Sequence, residues 1–437
     1  MAIFQSITFK VLGIGVLALL MFIPLVQVEG LIRERNGMRE QAVANIAQRW
    51  GERQRLGGPM LYIPRRARFE SDKGVVVRDD GRDVVLPERL EIHATLAPEM
   101  RRYGIYETPV YTSELKLSGE FADSDLDQLH GADAWLWDQA ELRIPVTDVR
   151  GIRAVSAMKF AGAELRLGPS GAIGRFGAIA APVALARRNG ATYAFEVTLT
   201  LAGTQSLSFL PLARSTEATL ASPWRDPEFD GAFLPTSRDV GSQGFQAHWA
   251  VLDFNRGFGQ HWRDGAQNGD ELAAAAFGVN LYQPSNIYQQ NERAGKYGIL
   301  FVALTFVAFF LFEILRKLRV HPVQYLLIGI ALTTFYVVLL ALSEQIGFGF
   351  AYLAAAAAVV VLVGGYAAAV LRARRAGVML GAILALVYAL LYGLVVSEQY
   401  SLLMGALALL GVVAALMYLT RKVDWYAYAA VKTQAAN

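Results

Sequence analysis

The chain has no cysteine in its 437 residues, and this excludes disulfides, zinc–thiolate sites, Fe–S clusters and a thiol nucleophile outright. It does not identify a compartment. Histidine is scarce as well: the five copies, His93, His130, His248, His261 and His321, are scattered, with no H-E-x-x-H and no i, i+4 pair to grip a metal. There is no G-x-S-x-G elbow and no phosphate-binding glycine loop; Gly168-Pro169-Ser170-Gly171 has the composition of a tight turn. Nothing here calls for a cofactor, and no enzyme is expected, although the carboxylates of the middle region leave an acid–base pair open. Charge is thin at 18%, yet too abundant for a protein made only of membrane helices, and 54% hydrophobic residues are too many for a soluble one, so the chain must be divided.

The division follows the long apolar runs. Tyr297–Leu315, Val323–Leu342, Phe348–Leu371, Val378–Val396 and Leu402–Leu419 are each long enough, at about 1.5 Å per residue, to cross a hydrocarbon core of about 30 Å. Lys and Arg in short loops stay cytoplasmic. Arg316, Lys317 and Arg319 follow the first run, Arg372, Arg374 and Arg375 the third, and Arg421 and Lys422 the fifth; the turns Ser343–Gly347 and Ser397–Ser401 hold no basic residue and one glutamate each, Glu344 and Glu398. The first run of the array therefore passes from outside to inside. An earlier run, Val11–Val28, is longer than a signal peptide's apolar region and exits without a small-x-small site, so it reads as a retained anchor. Six transmembrane helices result, one N-terminal and five C-terminal, with both termini inside.

The expected organisation is an α+β membrane protein: a cytoplasmic N-terminus at 1–10, helix 1 at 11–28, an outer amphipathic helix at 29–58, an outer mainly β domain at 59–295, a five-helix bundle at 296–420 and a cytoplasmic tail at 421–437. Residues Val28–Gly295 carry 30 Lys plus Arg against 34 Asp plus Glu, a net −4, whereas the remainder has 11 against 4, a net +7. The outer part has no electrostatic footprint for nucleic acid, which is excluded as a partner. Ile32, Val43, Ile46 and Trp50 give Leu31–Leu56 one apolar side, interrupted at Gly37 and stopped by Gly57-Gly58-Pro59. This helix is a stalk packed on the outer domain or a membrane-surface helix.

Beyond Met60 the period becomes strand-like. Strands are expected at Val75–Arg78, Leu90–Leu96, Val110–Leu117, Glu164–Leu167, Tyr193–Leu201, Ser206–Leu210 and Gln246–Phe254, with turns at Asp80-Gly81 and Asn189-Gly190. The length suits two sandwich-like subdomains divided near 148–151, with a short helix or packed loop at Ser124–Gln139. The proline density of Ser222–Val240 excludes a central strand and reads as an irregular stretch. Its Trp224, Phe229 and Phe233 are either rings pinning a loop to the core or a partner-binding surface.

Other candidate positions lie in and beside the bundle. Arg293, Lys296 and Tyr297 mark the junction of domain and membrane. Glu313, His321, Gln324, Glu344, Glu398 and Asp424 are polar groups at the membrane interface; Glu313 precedes Arg316 and Lys317 by three and four residues, which favours anchoring over a proton relay. Ser343-Glu344-Gln345 recurs as Ser397-Glu398-Gln399, so the two helix pairs are either a duplicated hairpin or two turns that each need polar residues.

Several blocks in order resemble one family. Tyr103-Gly104-Ile105-Tyr106-Glu107, Asp148-Val149-Arg150-Gly151-Ile152, Trp224 to Pro235, Gly244-Phe245-Gln246-Ala247-His248-Trp249, His321-Pro322-Val323-Gln324-Tyr325-Leu326 and Thr420-Arg421-Lys422-Val423-Asp424-Trp425 are similar to the CreD family of bacterial inner-membrane proteins. Asn286 and Gln345 depart from the pattern, where Asp and His are expected. The resemblance implies a role in envelope integrity under stress, linked to β-lactam response and colicin tolerance, with no established reaction. The outer compartment would be the periplasm, and the partners the lipid bilayer and peptidoglycan, a lipid or a periplasmic protein.

Overall fold

A computed structural model describes residues 7–71, 74–127, 134–185, 190–267, 269–281, 287–315, 320–370, 373–397 and 401–421. The helices among them are α1 (Ile7–Leu20), α2 (Phe22–Trp50), α3 (Asp123–Asp127), α4 (Gly269–Ala274), α5 (Ile287–Lys296), α6 (Gly298–Leu315), α7 (Pro322–Ile346), α8 (Phe348–Val370), α9 (Arg374–Val396) and α10 (Ser401–Thr420). The chain forms two units: Met1–Met38 with Ser285–Asn437, and Arg39–Pro284. One boundary between the units falls at 284/285, ahead of α5.

In the helix unit, four helices are long and apolar enough to cross a membrane: Lys10–Trp50 as one 41-residue helix, Pro322–Ile346, Phe348–Val370 and Arg374–Val396. A fifth arises if α5 and α6, bent by 45°, count as one span, while the last run contributes a shorter apolar stretch, Leu403–Ala415, among the described residues. Length and apolarity therefore support four or five spans where the apolar runs gave six. Both ends of α7 follow from its sequence. At the head of α7 the His321 ring accepts the Val323 N–H at 3.3 Å, the Gln324 side chain accepts the His321 N–H at 3.0 Å, and Pro322 occupies the first turn. At its foot Gly347, at φ +76°, donates its N–H to Ser343. Small residues let α8 and α9 close together: a Cβ on Gly377 would come 2.4 Å from that of Ala368.

The other unit holds two sheets over a shared core, with a second apolar cluster that includes Tyr62, Phe176 and Phe258. Among the described residues the larger sheet has 11 strands, ordered Pro227–Gly231, Phe277–Leu281, Ser206–Leu210, Gln54–Gly57, Ala140–Val146, Met60–Ser71, Gly74–Val85 and His261–Arg263, with three more attached off this path. The smaller has nine, ordered Ala163–Leu165, Met158–Phe160, Thr192–Thr204, Tyr106–Ala122, Arg89–Tyr103, Ser215–Ser222, Gly244–Leu252 and Ser237–Gly241, with Ile152–Val155 attached. Alternating inward residues from both sheets, such as Leu142, Phe209 and Phe277 from one and Leu117, Leu220 and Trp249 from the other, form a single buried cluster. Each sheet draws strands from both sides of 148–151, so a cut there would sever both.

Three local expectations are corrected. The helix expected over Leu31–Leu56 runs unbroken through Gly37 and ends at Trp50. Residues Gln54–Gly57 are instead a strand parallel to Ser206–Leu210. The stop is Gly51, at φ +141°, where a Cβ would meet the Ala202 carbonyl oxygen at 2.5 Å. Asp80-Gly81 lies inside the strand Gly74–Val85, opposite the register shift at Pro64–Arg66, with Gly81 at φ +88°; the dipeptide makes a bulge where a turn was expected. The proline-rich stretch contains two edge strands, Pro227–Gly231 and Ser237–Gly241, the first with its proline at the opening position that an edge tolerates. Of Ser124–Gln139, residues 128–133 lie outside the described residues.

Candidate functional site

Polar groups of the helix unit gather at the two ends of α7. At its head, Glu313 from α6 is 4% exposed and fully engaged. Its Oε2 accepts the Tyr325 hydroxyl at 2.9 Å; its Oε1 accepts the Val320 N–H at 2.9 Å and pairs with Lys10 of α1. The Lys10 ammonium also donates to the Val320 carbonyl at 3.1 Å. The Tyr325 ring stands edge-on between Phe306 and Phe309, at 5.7 and 5.2 Å, which fixes the hydroxyl. Among the described residues the partners of Glu313 are therefore Lys10 and Tyr325, a tie between α1, α6 and α7; Arg316 and Lys317, expected from the i+3 and i+4 spacing, lie outside them.

At the foot of α7, Asn291 of α5 donates to the Ser343 hydroxyl at 2.9 Å and to the Ile287 carbonyl at 2.7 Å, while the Tyr288 hydroxyl donates to Glu344 at 3.0 Å with Arg35 at 3.9 Å. Asn291 and Ser343 are both buried. Between the two ends the unit is apolar and aromatic: Phe335 packs on Tyr336, Tyr352 and Tyr388 with centroids at 4.9, 5.3 and 4.6 Å. A groove of about 730 Å³ runs between α8 and α9, walled by Tyr352, Tyr388 and Tyr392 with Ala356, Ala357 and Ala389. Such a lining is mostly apolar, with tyrosine hydroxyls as its polar groups.

In the β unit the end of α2 is tied in through a dense network. The Trp50 indole N–H donates to the Tyr111 carbonyl at 3.1 Å, and the Arg101 and Arg153 guanidinium groups lie 4.0 and 4.9 Å from its ring. Next to it, Asp148 accepts from the Arg150 Nε and N–H at 2.8 and 3.0 Å and from the Glu52 N–H at 3.2 Å. Burial raises that carboxyl, but these hydrogen bonds and the charge of Arg150 outweigh it and hold Asp148 below the ordinary carboxylate range.

A second network centres on Arg214, which meets Asp125 at 2.5 Å, Glu88 at 2.6 Å and Asp253 at 3.4 Å. Burial raises the Asp125 carboxyl above its ordinary range against the pull of Arg214. Arg256 is buried; desolvation lowers it to about 10, and it donates to the Pro211 carbonyl at 2.9 Å and Gln260 at 2.6 Å. A shallow cleft of about 560 Å³ lies beside the edge strand Ser237–Gly241, lined by Thr95, Ser222, Asp239 and Gln246 among others.

The positions singled out in the sequence scatter among these features. Trp224, Phe229 and Phe233 pack half-buried against the shared core; Phe229 stands edge-on to Phe245 and Trp249 at 5.7 and 5.9 Å, and Phe233 edge-on to Phe277 at 6.1 Å. Tyr297 occupies the bend between α5 and α6, and Lys296 pairs with Glu292 at 3.1 Å one turn before it, with Arg293 half-buried between them. His321 and Gln324 are the cap of α7. Glu398 and Asp424 lie outside the described residues. Sequence reasoning missed Lys10, Tyr288 and Asn291, whose partners sit 50 or more residues away in the chain, Tyr325, twelve residues from Glu313, and Phe254, which is 92% exposed. Among the described residues no group of three or more His, Asp or Glu could hold a metal.

These features define a multi-pass membrane protein in which apolar helices are joined to a two-sheet domain inserted after the first of them. The chain belongs to the CreD family: the family described as Inner membrane protein CreD matches residues 6–426. It is 36% identical over 423 residues to the Inner membrane protein CreD of Escherichia coli (strain K12), covering 96% of this chain and 94% of that one. Among solved structures, an M1 zinc metallopeptidase from Deinococcus radiodurans aligns with TM-score 0.21 and 13% identity over 38% of this chain and 39% of that one, a likeness too slight to carry an argument.

Proposed function

We propose that this chain is a non-enzymatic inner-membrane protein that maintains envelope integrity under stress, with the β unit in the periplasm binding peptidoglycan, a lipid or a periplasmic protein. Six spans with both termini cytoplasmic complete the reading, and Arg293, Lys296 and Tyr297 mark the passage from domain to membrane. The observation that carries it is the place of the β unit in the chain. Residues Arg39–Pro284 follow a single apolar helix and precede all the others, and Arg374, Arg375 and Arg421 sit at alternate helix ends from the uncharged or acidic turns at 343–347 and 397. One span before the insertion supports the reading that the unit lies across the membrane from the N-terminus.

Topology reporters fused after residues 56, 346, 375, 397 and 421 test this: the first, second and fourth should be active only as periplasmic reporters, the others only as cytoplasmic ones. Deleting the protein should make stressed cells leakier to bulky antibiotics and dyes. Unchanged permeability would remove the integrity role, whatever the topology. A second reading, a transporter or lipid-handling permease, is favoured by the groove between α8 and α9. Purified protein that moves no lipid, ion or small solute in liposomes would dismiss it.

A further inference from the structure

The groove between α8 and α9 is backed by one neighbouring helix and avoided by another. Phe335 of α7 packs behind it, on Tyr352 and Tyr388 at 5.3 and 4.6 Å. The last helix is committed elsewhere: a Cβ on Gly393 would stand 3.2 Å from Met404, and one on Gly405 3.8 Å from Leu394, so α10 packs on the side of α9 that carries 393 and 394. At about 100° per residue, that side is turned well away from Ala385, Tyr388, Ala389 and Tyr392, which line the groove. The mouth is open. Phe350, Leu353 and Tyr392, 75%, 68% and 40% exposed, stand proud of the short side chains of Ala356, Ala357 and Ala389.

The medium specifies the occupant. Both helices are long and apolar enough to cross a membrane, so what meets the mouth is the bilayer. Water would find too few polar partners there, and a hollow left empty in hydrocarbon forfeits dispersion contacts along its walls. A second helix, about 10–12 Å across with its side chains, would ride on the projecting Phe350, Leu353 and Tyr392, whereas a single hydrocarbon chain passes between them. The length agrees. From Gly349 to Val360 the α8 lining runs about 17 Å at about 1.5 Å per residue, against about 15 Å for half of a hydrocarbon core. It starts within the first turn of α8 and near the end of α9, so it opens at one interface and ends near the midplane. The walls are set in advance: the Tyr352 hydroxyl donates to the Tyr388 carbonyl at 2.8 Å, and the Tyr352 ring lies 5.1 Å from that of Tyr392. The Tyr392 hydroxyl stands 3.5 Å from where a Cβ of Gly349 would be, close to the helix ends and the level at which lipid ester oxygens could accept from it.

We propose that this groove holds one acyl chain of a phospholipid from the leaflet at the Gly347 end of α8. The inference rests on the reading that α8 and α9 cross the bilayer, and it makes the lipid a resident part of the helix unit rather than one in transit. The test places the full chain in liposomes of phosphatidylethanolamine and phosphatidylglycerol with a trace of phosphatidylethanolamine that carries a photoreactive group on one acyl chain. Labelling of the lining residues of 349–360 and 385–392 should exceed that of Val337, a 43% exposed position at similar depth on α7, at least fivefold. Filling the groove with Ala357→Trp and Ala389→Trp should bring it down to the Val337 level, while Leu362→Trp, at a 61% exposed position outside the groove, should leave it unchanged. In native mass spectra the parent should retain one phospholipid per chain and the filled variant none. If the double variant does not fold, either single one with the parent's thermal stability carries the same comparison. Labelling no stronger in the groove than at Val337, labelling indifferent to both tryptophans, or a groove that cross-links only to a second copy of this chain overturns the proposal. Topology reporters read the spans and permeability the envelope role, so failure here leaves both readings to their own measurements.

Discussion

The two units bury polar groups by different rules. In the helix unit the carboxylates and the amide lie at the two ends of α7, each matched by a partner from another helix: Lys10 and Tyr325 on Glu313, Asn291 on Ser343, Tyr288 on Glu344; the buried hydroxyls of Thr305 and Thr333 return to carbonyls of their own helices. In the β unit they lie at the rim of the sandwich, around Asp148 and Arg214, and are held in part by nearby backbone. The reason is the surroundings. An unmatched charge among apolar helices finds no water to relieve it, whereas strand ends reach solvent and loop amides. Pairing across helices therefore sets how the helices assemble; networks at strand ends set where loops and α2 attach.

The largest expected effect breaks the first rule. Glu313→Ala leaves Lys10 without its carboxylate and should cost about 3–5 kcal/mol, read as a loss of thermal stability in detergent micelles, whereas Lys10→Met with Glu313→Leu should recover much of it. A single variant as stable as the parent would mean that the pair does not bind α1 to the bundle. Of similar size, Trp249→Ala should cost about 3–5 kcal/mol by opening the core shared by both sheets, while Phe254→Ser should stay within about 0.5 kcal/mol; denaturant unfolding of the whole chain reads both.

Gly51→Ala should come next, at about 1–3 kcal/mol, because its φ of +141° and the Ala202 carbonyl at 2.5 Å leave a Cβ no room. Gly37→Ala, at mid-helix with nothing within 4 Å, should be neutral or stabilising, and equal effects at the two glycines would deny that the helix stops at Trp50. The smallest effect is a matter of sign with pH. Asp125 is raised in the folded chain, so its contribution is full below the unfolded carboxylate range and is lost as pH rises through the raised value. Asp148 is lowered, so its contribution is full above the unfolded range and is lost as pH falls through the lowered value. Asp125→Asn should therefore gain most over the parent near neutral pH and least in acid, and Asp148→Asn should lose most near neutral pH. Melting curves from pH 3 to 8 check both, and parallel curves would remove the two carboxyls from the pH response.

Local pattern was a good guide wherever neighbours in sequence are neighbours in space. Apolar runs became α6 to α9 within a few residues, and alternation located the strand Ser206–Leu210 to the residue. It failed where a distant backbone decided. Gly57-Gly58 looked like a helix stop, yet Gly51 stops the helix because Ala202 approaches it, and the freed residues 54–57 then pair with a strand some 150 positions later. The aromatics of 224–233 were visible as a cluster, but only the packing put Phe229 on Trp249 and Phe233 on Phe277, and left Phe254, at the end of an ordinary alternating strand, outside.

By itself the sequence determined that apolar helices bracket a strand-rich domain, which ends carry the basic residues, and that thiol chemistry is absent. These follow from hydropathy, charge and composition, which are additive along a chain. Only the tertiary structure decided that both sheets share one core across 148–151, that Lys10 meets Glu313, and that Phe254 stands in solvent while Trp249 does not. Burial and pairing depend on which residues the fold brings within a few ångströms, and separation along the chain does not carry that information.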